Sequence, residues 1–296
     1  MRISYLGPAG TYSEKAALKL SESMHGCELS PELSLESVAK KVHSGSSGLG
    51  VMAYYNHLEG LVQECLDIIY ENKLQIVGMQ RVPITFSIAS YPGSRDSSAV
   101  YSHPKALAQC SAWLLANCPD SRQIAVESTA AGAIKVMESK AGLAIASKNA
   151  LEECNLSIVA EDISNRRHGS SNFTDFYLVS KDGLHPEPVM GKDYLTMVAI
   201  TPHFDKVGLL AGILQQTAWH ELNNAKIHSR PAIDDVRIED NLEPQMFYLE
   251  LRCHMSSKRF NEFTKSIENG LNPGRKSIEV VRILGSYENP CFRQSF

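Results

Sequence analysis

Residues 3–13 read Ile-Ser-Tyr-Leu-Gly-Pro-Ala-Gly-Thr-Tyr-Ser, and the fold class follows from this stretch. Residues 3–6 fit a short strand, a turn rich in glycine follows, and a helical pattern runs from about 14 to 23. A strand, a glycine-rich turn and a helix in this order open an α/β unit. The amides at a helix N-terminus suit an anion, so we expect Thr11 and Ser13 to contact a ligand carboxylate. The same side chains also suit simple helix capping.

The alternation of strands and helices continues to about residue 182. Short apolar runs predict strands at 49–53, 75–78, 84–89, 99–102, 124–126, 142–146 and 176–179. Helical spacing predicts helices at 61–71, 105–117, 128–139 and 147–154, the third capped by Ser128. A proline-containing connector at 183–193 marks a domain boundary. Beyond it, residues 194–288 follow the order strand, helix, strand, strand, helix, strand, which is the ferredoxin-like pattern.

The composition excludes several classes of protein. The chain has 296 residues, about two domains' worth, with 43% hydrophobic and 21% charged residues, which is ordinary for a soluble globular protein. No apolar run approaches the ~18 residues of a membrane span, and the N-terminus lacks a signal-peptide pattern. A net charge of -4 with scattered basic residues argues against a nucleic-acid partner.

The seven cysteines point to a reducing compartment. They form no Cys-x-x-Cys pair, and no cysteine and histidine cluster has the spacing of a zinc site. We therefore expect free thiols, a cytoplasmic location, no metal and no cofactor.

Several blocks resemble the prephenate dehydratase family and occur in the order and spacing of that family. In the first part of the chain they are residues 5–13, 101–104, Gln109, Cys110, 128–133 and 144–146. In the C-terminal part they are 208–210, Asn223, 229–231 and 284–287, which resemble the regulatory ACT domain of the family.

The resemblance implies a fold and a domain plan. Residues 1–182 would form an α/β, two-lobed, periplasmic-binding-protein-like catalytic domain, with lobe one at about 1–78 and 172–182 and lobe two at about 79–171. A linker at 183–193 would join it to a ferredoxin-like (βαββαβ) ACT domain at 194–288. In the family this domain usually binds phenylalanine and mediates dimer or tetramer contacts.

Two blocks depart from the family pattern. The family carries Pro-Ile-Glu-Asn-Ser where residues 53–57 read Ala-Tyr-Tyr-Asn-His, so Tyr55 replaces the glutamate and His57 replaces the serine. The catalytic block of the family is Asn-x-Thr-Arg-Phe, whereas residues 172–176 read Asn-Phe-Thr-Asp-Phe. Thr174, the proton donor of the family, is kept. Asp175 replaces an arginine that anchors a substrate carboxylate.

This charge reversal shapes the functional expectation. If Asp175 faced the substrate dianion at ~4 Å, repulsion at an effective dielectric of ~20 would cost about 4 kcal/mol. Our first hypothesis is therefore a prephenate decarboxylase that loses CO2, protonates the ring and keeps the hydroxyl, as relatives in bacilysin-type antibiotic biosynthesis do. The candidate catalytic residues are Thr174, Asp175, His57 and Tyr55.

The resemblance also implies residues that bind small molecules. Candidate substrate-binding residues are Thr11, Ser13, Asn56, His103, Ser128, Thr129, Asn172 and Phe176. Candidate allosteric residues, which would bind a phenylalanine-like effector, are Gly208, Leu209, Leu210, Asn223, Ser229, Arg230 and Pro231. His228 stands where the family usually has glutamate, which leaves the identity of the effector open.

Two alternatives remain beside the decarboxylase. The retained Thr174 and the ACT-like motifs favour a prephenate dehydratase that makes phenylpyruvate for phenylalanine biosynthesis. The loss of charged groups at 55 and 175 leaves room for a catalytically silent sensor of prephenate or an aromatic amino acid. In each case we expect a homodimer or homotetramer with no membrane or nucleic-acid partner.

Overall fold

Two α/β lobes and a C-terminal unit make up the described part of the chain. The computed structural model describes residues 1–22, 24, 26–165, 172–183, 187–202, 208–233, 245–269 and 278–289. The predicted end of the first helix at Ser23, residues 184–186 of the connector and Cys291 lie outside this range. Within it, no helix combines the length and the apolar character needed to cross a membrane.

Lobe one is built on a mixed sheet that takes strands from both ends of the catalytic region. Its elements are β1 Arg2–Leu6, α1 Tyr12–Ser21, β2 Glu28–Glu32, α2 Leu35–His43, β3 Leu49–Asn56, β4 Gly60–Leu61, α3 Gln63–Glu71, β5 Gln75–Pro83 and the later strand β11 Phe173–Ser180. Strand β11 lies between β3 and β5 and is antiparallel to both.

Lobe two has a smaller mixed sheet of its own. Its elements are β6 Ser87–Ser90, β7 Ala99–Ser102, α4 Pro104–Gln109, α5 Ser111–Asn117, β8 Arg122–Ala125, α6 Thr129–Ser139, β9 Leu143–Ala146, α7 Lys148–Glu153 and β10 Ser157–Ala160. The strands lie in the order β10-β6-β9-β7-β8.

The C-terminal unit has the predicted order of elements. They are β12 Tyr194–Pro202, α8 Leu209–Trp219, β13 Asn224–Pro231, β14 Gln245–Leu251, α9 Lys258–Glu268 and β15 Ile278–Glu288. One face of its sheet packs on α8 and α9. The other face joins the core of lobe one.

The C-terminal sheet continues into the sheet of lobe one, in the order β13-β14-β12-β15-β5-β11-β3-β1-β2. The junction is a parallel pairing of Gly285 in β15 with Ile76 in β5. A Cβ atom on Gly285 would lie 2.1 Å from the Ile76 carbonyl oxygen, so only glycine permits this approach. The C-terminal unit is therefore attached directly to the strand that neighbours β11.

Strand β11 presents different surroundings on its two faces, because successive side chains of a strand point to opposite sides. Phe176 and Leu178 pack with α1 residues on one face. Tyr177 packs on the other face, with α2, α3 and the C-terminal sheet. Strand β3 has a bulge here, because Asp175 is opposite Tyr55 while Phe176 is opposite Ala53, which leaves Tyr54 as an extra residue. As a result, the successive side chains of Tyr54 and Tyr55 both pack on this second face. Thr174 and Asp175 therefore belong to opposite faces.

The predicted elements agree with the structure in most places and differ in a few. β5 continues to Pro83 and pairs with β11, so residues 79–83 belong to lobe one and not to lobe two. The predicted strand at 84–89 is observed at 87–90, and the predicted helix at 105–117 is interrupted at Cys110, where φ is -111° and ψ is 7°. Strands β2 and β10 and helix α2 were not predicted from the sequence.

Candidate active site

Thr174 and Asn56 form a polar pair where β11 begins and β3 ends. The two residues are opposite each other in the register, and Asn56 Nδ2 donates a hydrogen bond to Thr174 Oγ1 at 2.9 Å. Asn56 Oδ1 accepts the amides of Leu58 at 2.9 Å and Glu59 at 3.1 Å. Because these N–H groups identify the oxygen, the nitrogen must face Thr174. The Thr174 oxygen is then an acceptor, and its hydrogen stays available to a ligand.

The face of the sheet that carries Thr174 also carries α1, which reaches across to lobe two. The Tyr12 hydroxyl of α1 donates to the Thr85 carbonyl, and its ring meets Phe86 edge-on at 6.1 Å. A cavity of about 140 Å³ opens between the start of α1 and the start of α7. Its lining residues are Gly10, Thr11, Tyr12, Glu14, Lys15, Leu18, Ser147, Asn149 and Glu153.

Three of the predicted substrate-binding residues cap helices. Thr11 Oγ1 accepts the Glu14 amide at 3.4 Å, and Ser128 Oγ accepts the Ala131 amide at 3.0 Å. His103 Nδ1 accepts the amide two residues on at 3.2 Å. At the start of α1, the Glu14 carboxylate also accepts the Gly10 amide. These side chains satisfy helix ends in this conformation. Their contact with a substrate stays a prediction.

Polar side chains connect the lobes beside this site. Glu59, which follows β3, pairs with Lys105 Nζ at 3.0 Å and accepts from Gln109 Nε2 at 2.7 Å. Gln109 Oε1 in turn accepts from Asn172 Nδ2 at 3.1 Å. Asn172 Oδ1 is buried and has no hydrogen-bond partner among the described residues. A ligand donor at this position would therefore satisfy an unpaired acceptor.

Asp175 lies on the opposite face from Thr174, and its side chain is fully buried. Its carboxylate accepts two hydrogen bonds from Arg81 on β5, at 2.7 and 2.9 Å, in a bidentate ion pair. Lys226 Nζ of β13 lies 3.8 Å from the same carboxylate. The predicted repulsion of a substrate dianion is therefore corrected, because two cations neutralise Asp175 on the far side of the sheet.

A second buried carboxylate completes this charged cluster. Glu250 of β14 pairs with Lys226 at 3.1 Å and accepts hydrogen bonds from the hydroxyls of Tyr177 and Tyr287. Burial raises the pKa of both phenols well above the usual value, so they remain donors. We call Asp175, Arg81, Lys226 and Glu250 the interface charge network.

Tyr55 and His57 accompany Asp175 and not Thr174. Tyr55 is opposite Asp175 in the register, and Lys226 Nζ lies 4.7 Å from its ring centroid. The His57 ring stacks on Phe173 at 4.8 Å, and the Arg81 guanidinium lies 3.5 Å from the centroid of the same ring. His57 Nε2 is buried and unpaired among the described residues. Of the four candidate catalytic residues, Thr174 alone lies on the α1 face.

The remaining predicted binding residues have varied surroundings. Phe176 is 2% exposed and packs in the core of lobe one, and its contact with substrate stays a prediction. Ser13 is buried in the first turn of α1. Thr129 is half-buried in the first turn of α6.

The candidate allosteric residues occupy two ends of the C-terminal unit. Gly208, Leu209 and Leu210 start α8, while Ser229, Arg230 and Pro231 end β13. β13 and β12 are both antiparallel to β14, so these segments lie at the same end of the sheet. Asn223 precedes β13 and lies at the opposite end of the sheet, and its contact with an effector stays a prediction. Arg230 binds Asp67 of α3 at 2.6 Å.

Arg81, Lys226 and Glu250 were not predicted from the sequence, because they belong to none of the recognised motifs. The alternation of β11 was a usable signal, because it separates Asp175 from Thr174 and Phe176. The register that brings Arg81 and Lys226 to Asp175 had no signal in the sequence.

Comparisons with known proteins agree with this architecture. A family profile described as prephenate dehydratase matches residues 3–183. The bifunctional chorismate mutase/prephenate dehydratase of Aquifex aeolicus is 30% identical over 99% of this chain and 75% of its own length. The prephenate dehydratase of Methanocaldococcus jannaschii is 29% identical over 96% of this chain and 97% of its own length.

Among solved structures, that of the prephenate dehydratase from Arthrobacter aurescens in complex with L-Phe is 28% identical. It covers 98% of this chain and 90% of its own, with a TM-score of 0.81. These matches confirm the resemblance seen in the sequence, and the chain belongs to the prephenate dehydratase family.

Proposed function

We propose that the chain is a prephenate dehydratase, which converts prephenate into phenylpyruvate, CO2 and water. Membership of the family makes it a lyase, as the sequence predicted. Loss of the carboxylate supplies the electron pair that aromatises the ring, and the ring hydroxyl leaves as water after receiving a proton. Thr174 is the proposed donor of that proton.

The observation that carries this proposal is the hydrogen bond from Asn56 to Thr174. Asn56 Nδ2 occupies an acceptor position on Thr174 Oγ1, and the amide orientation is fixed by the Leu58 and Glu59 N–H groups. The threonine hydrogen can therefore point to a leaving hydroxyl. The same donated hydrogen bond stabilises negative charge that develops on Oγ1 as the proton departs.

The position of Asp175 removes the main objection to dehydration. The decarboxylase hypothesis depended on a carboxylate facing the substrate, whereas this one is buried on the other face against Arg81 and Lys226. Non-aromatising decarboxylation, with its place in antibiotic biosynthesis, becomes the second candidate. A sensor without activity is the third.

The C-terminal unit is proposed to be an ACT-type regulatory domain. Its βαββαβ order and the Gly208–Leu210 and Ser229–Pro231 segments at one end of the sheet support an effector site. The relative solved with bound L-Phe supports a phenylalanine-like effector. Calorimetric titration with L-Phe, and light scattering for the proposed homodimer or homotetramer, would test these points.

Product analysis tests the proposed function. Purified protein is incubated with prephenate at pH 7.5, and products are separated by mass spectrometry beside a reaction without protein, which measures the spontaneous background, and beside a Thr174→Val variant. Phenylpyruvate above that background supports dehydration. A product that has lost CO2 but kept the hydroxyl would overturn it in favour of decarboxylation, and unchanged prephenate would favour the sensor.

A further inference from the structure

Lys226 extends from the C-terminal unit to both strands that carry the candidate active site. Its Nζ lies 3.1 Å from Glu250 on its own sheet and 3.8 Å from Asp175 on β11. The same atom lies 4.6 and 4.7 Å from the ring centroids of Tyr54 and Tyr55 on β3. The side chain is 21% exposed, so these contacts are made in a largely dry environment.

The strand register places these contacts one residue away from Thr174 and Asn56, on the opposite face of the sheet. Asp175 is opposite Tyr55, and the next pair along the two strands is Thr174 opposite Asn56. The first pair faces Lys226, and the second forms the hydrogen bond that leaves the Thr174 hydrogen free. A change in the separation of β3 and β11 at one pair must therefore reach the other, one residue away.

The partners of Lys226 are themselves held in place. Arg81 fixes Asp175 with two hydrogen bonds, and the hydroxyls of Tyr177 and Tyr287 fix Glu250. Two carboxylates and two cations balance within the interface charge network, as buried charges require. Lys226 is the member of the network that contacts both carboxylates, Glu250 of the C-terminal unit and Asp175 of β11.

We propose that Lys226 is a positioning residue for catalysis: it holds β3 and β11 at the spacing that the Asn56 to Thr174 hydrogen bond requires. The C-terminal unit thereby supplies part of the support of the active site. This inference rests on the proposed function where kcat is measured. Amide hydrogen exchange tests it independently of that function.

The kinetic test compares Lys226→Met, Lys226→Arg and a matched control, Arg282→Met, in the full chain. Arg282 also links the two units, through the ring and the carbonyl of Tyr70, which belongs to α3 and not to β3 or β11. We expect Lys226→Met to lower kcat about ten- to a hundredfold with KM changed less than about threefold, because misplacement affects the reacting geometry. Lys226→Arg should recover most of kcat, and Arg282→Met should keep it.

A double-mutant cycle asks whether the effect passes through Asp175. In an Asp175→Asn background, Lys226→Met should lower kcat by less than about threefold, since neighbouring residues that act together are not additive. An undiminished effect in that background would overturn the proposed route. An equal fall of kcat in Lys226→Met and Arg282→Met would overturn the positioning role, because any contact between the two units would then have the same effect.

Amide hydrogen exchange separates this inference from the proposed function. Lys226→Met should speed exchange in segments 53–57 and 173–176 about tenfold relative to Arg282→Met, whether or not the protein turns over prephenate. Exchange equal in the two variants would overturn the positioning role. A wild-type protein that makes no phenylpyruvate would overturn only the proposed reaction.

Discussion

On one face of the β3–β11 pair lie Thr174 and Asn56, uncharged and joined by a single hydrogen bond, and on the other lie Asp175 and Tyr55 beside a buried charge network. The first face looks toward α1 and lobe two, and the second toward the C-terminal unit. Neighbouring residues of one motif therefore have different surroundings. We therefore expect a substitution at position 175 to change the charge balance and packing of the sheet, and one at position 174 to change the groups that contact a substrate.

The largest effect is expected from Thr174→Val, which tests the chemical role of the first face. The change keeps the shape of the side chain but removes the proton donor, and general acid catalysis contributes about 10²–10⁴ in rate. We expect kcat for phenylpyruvate formation to fall about 10³-fold. The free energy of unfolding should fall by only about 1 kcal/mol, the cost of one hydrogen bond.

Thr174→Ser is the matched control, because it restores a hydroxyl on the same carbon, and it should retain kcat within about tenfold. Both values are measured by continuous absorbance of phenylpyruvate, and stability by urea unfolding. If Thr174→Val turned over prephenate as fast as the serine variant, the Thr174 hydroxyl would not be the proton donor, and the first face would have no assigned chemical role.

The second prediction concerns stability and separates the partners of the Arg81–Asp175 pair. Arg81→Met removes the bidentate partner of a fully buried carboxylate and leaves it beside Lys226 at 3.8 Å, and breaking a buried pair in this way costs about 3–5 kcal/mol. Asp175→Asn should cost less, about 1–3 kcal/mol, because the Arg81 side chain is 35% exposed and can be hydrated.

Urea unfolding followed by circular dichroism measures both variants. The informative result is which variant loses more unfolding free energy, since that depends on which partner is buried. An equal loss of unfolding free energy in the two variants, or a larger loss in Asp175→Asn, would show that water reaches the Asp175 carboxylate and that the second face is open to solvent.

How far the sequence predicts this arrangement depends on the range of the contacts. Local signals gave the strand and helix around the glycine-rich turn, and the Ser128 cap, because capping and periodicity depend on neighbouring residues. The retained threonine identified the candidate donor. Asn56 was also a predicted site residue, although its hydrogen bond to Thr174 was not predicted.

The rest depends on contacts between distant parts of the chain. Arg81 and Asp175 are 94 positions apart, and Thr174 and Asn56 are 118 apart, so nothing local reports that they meet. The bulge that presents Tyr54 and Tyr55 to one face is likewise set by pairing with β11. The error about Asp175 came from treating a motif as one surface, when a strand alternates between two.

The third prediction isolates the orienting role of Asn56. Asn56→Asp keeps an acceptor for the Leu58 and Glu59 amides but replaces the N–H that faces Thr174 with an oxygen. The threonine would then donate its hydrogen to the new carboxylate, and we expect kcat to fall about 10²-fold. Steady-state kinetics should also show a raised KM, because a negative charge has been added to the substrate face.

Thermal unfolding distinguishes this effect from damage to the turn. Asn56→Asp should keep the free energy of unfolding within about 1 kcal/mol, whereas Asn56→Leu, which cannot accept the two amides, should lose about 1–3 kcal/mol. A wild-type kcat in Asn56→Asp would mean that the Asn56 hydrogen bond does not prepare Thr174.

The smallest expected effect is a pH dependence of stability on the second face, at His228. Its Nε2 lies 3.2 Å from the Tyr54 hydroxyl, and desolvation, followed by the charge of Lys226, lowers its pKa, while Glu250 acts in the opposite direction. The unfolded chain takes up this proton near pH 6.5, whereas the folded protein does so only at lower pH. Stability should therefore fall as the pH decreases below about 6.5, by at most about 1.4 kcal/mol per pH unit from this group.

The difference between wild type and His228→Gln isolates that slope from the other titrating groups. Unfolding free energies are measured by urea at pH 7.5, 6.5 and 5.5, and the advantage of wild type over the variant should shrink as the pH falls. Tyr54→Phe keeps the imidazole in buried surroundings and should retain the wild-type slope, because desolvation is the larger cause. Equal slopes in wild type and His228→Gln would mean that the imidazole has the same pKa in the folded protein as in the unfolded chain. The second face would then be hydrated at β13, and the dry environment that makes Lys226 an effective link between the two units would be absent.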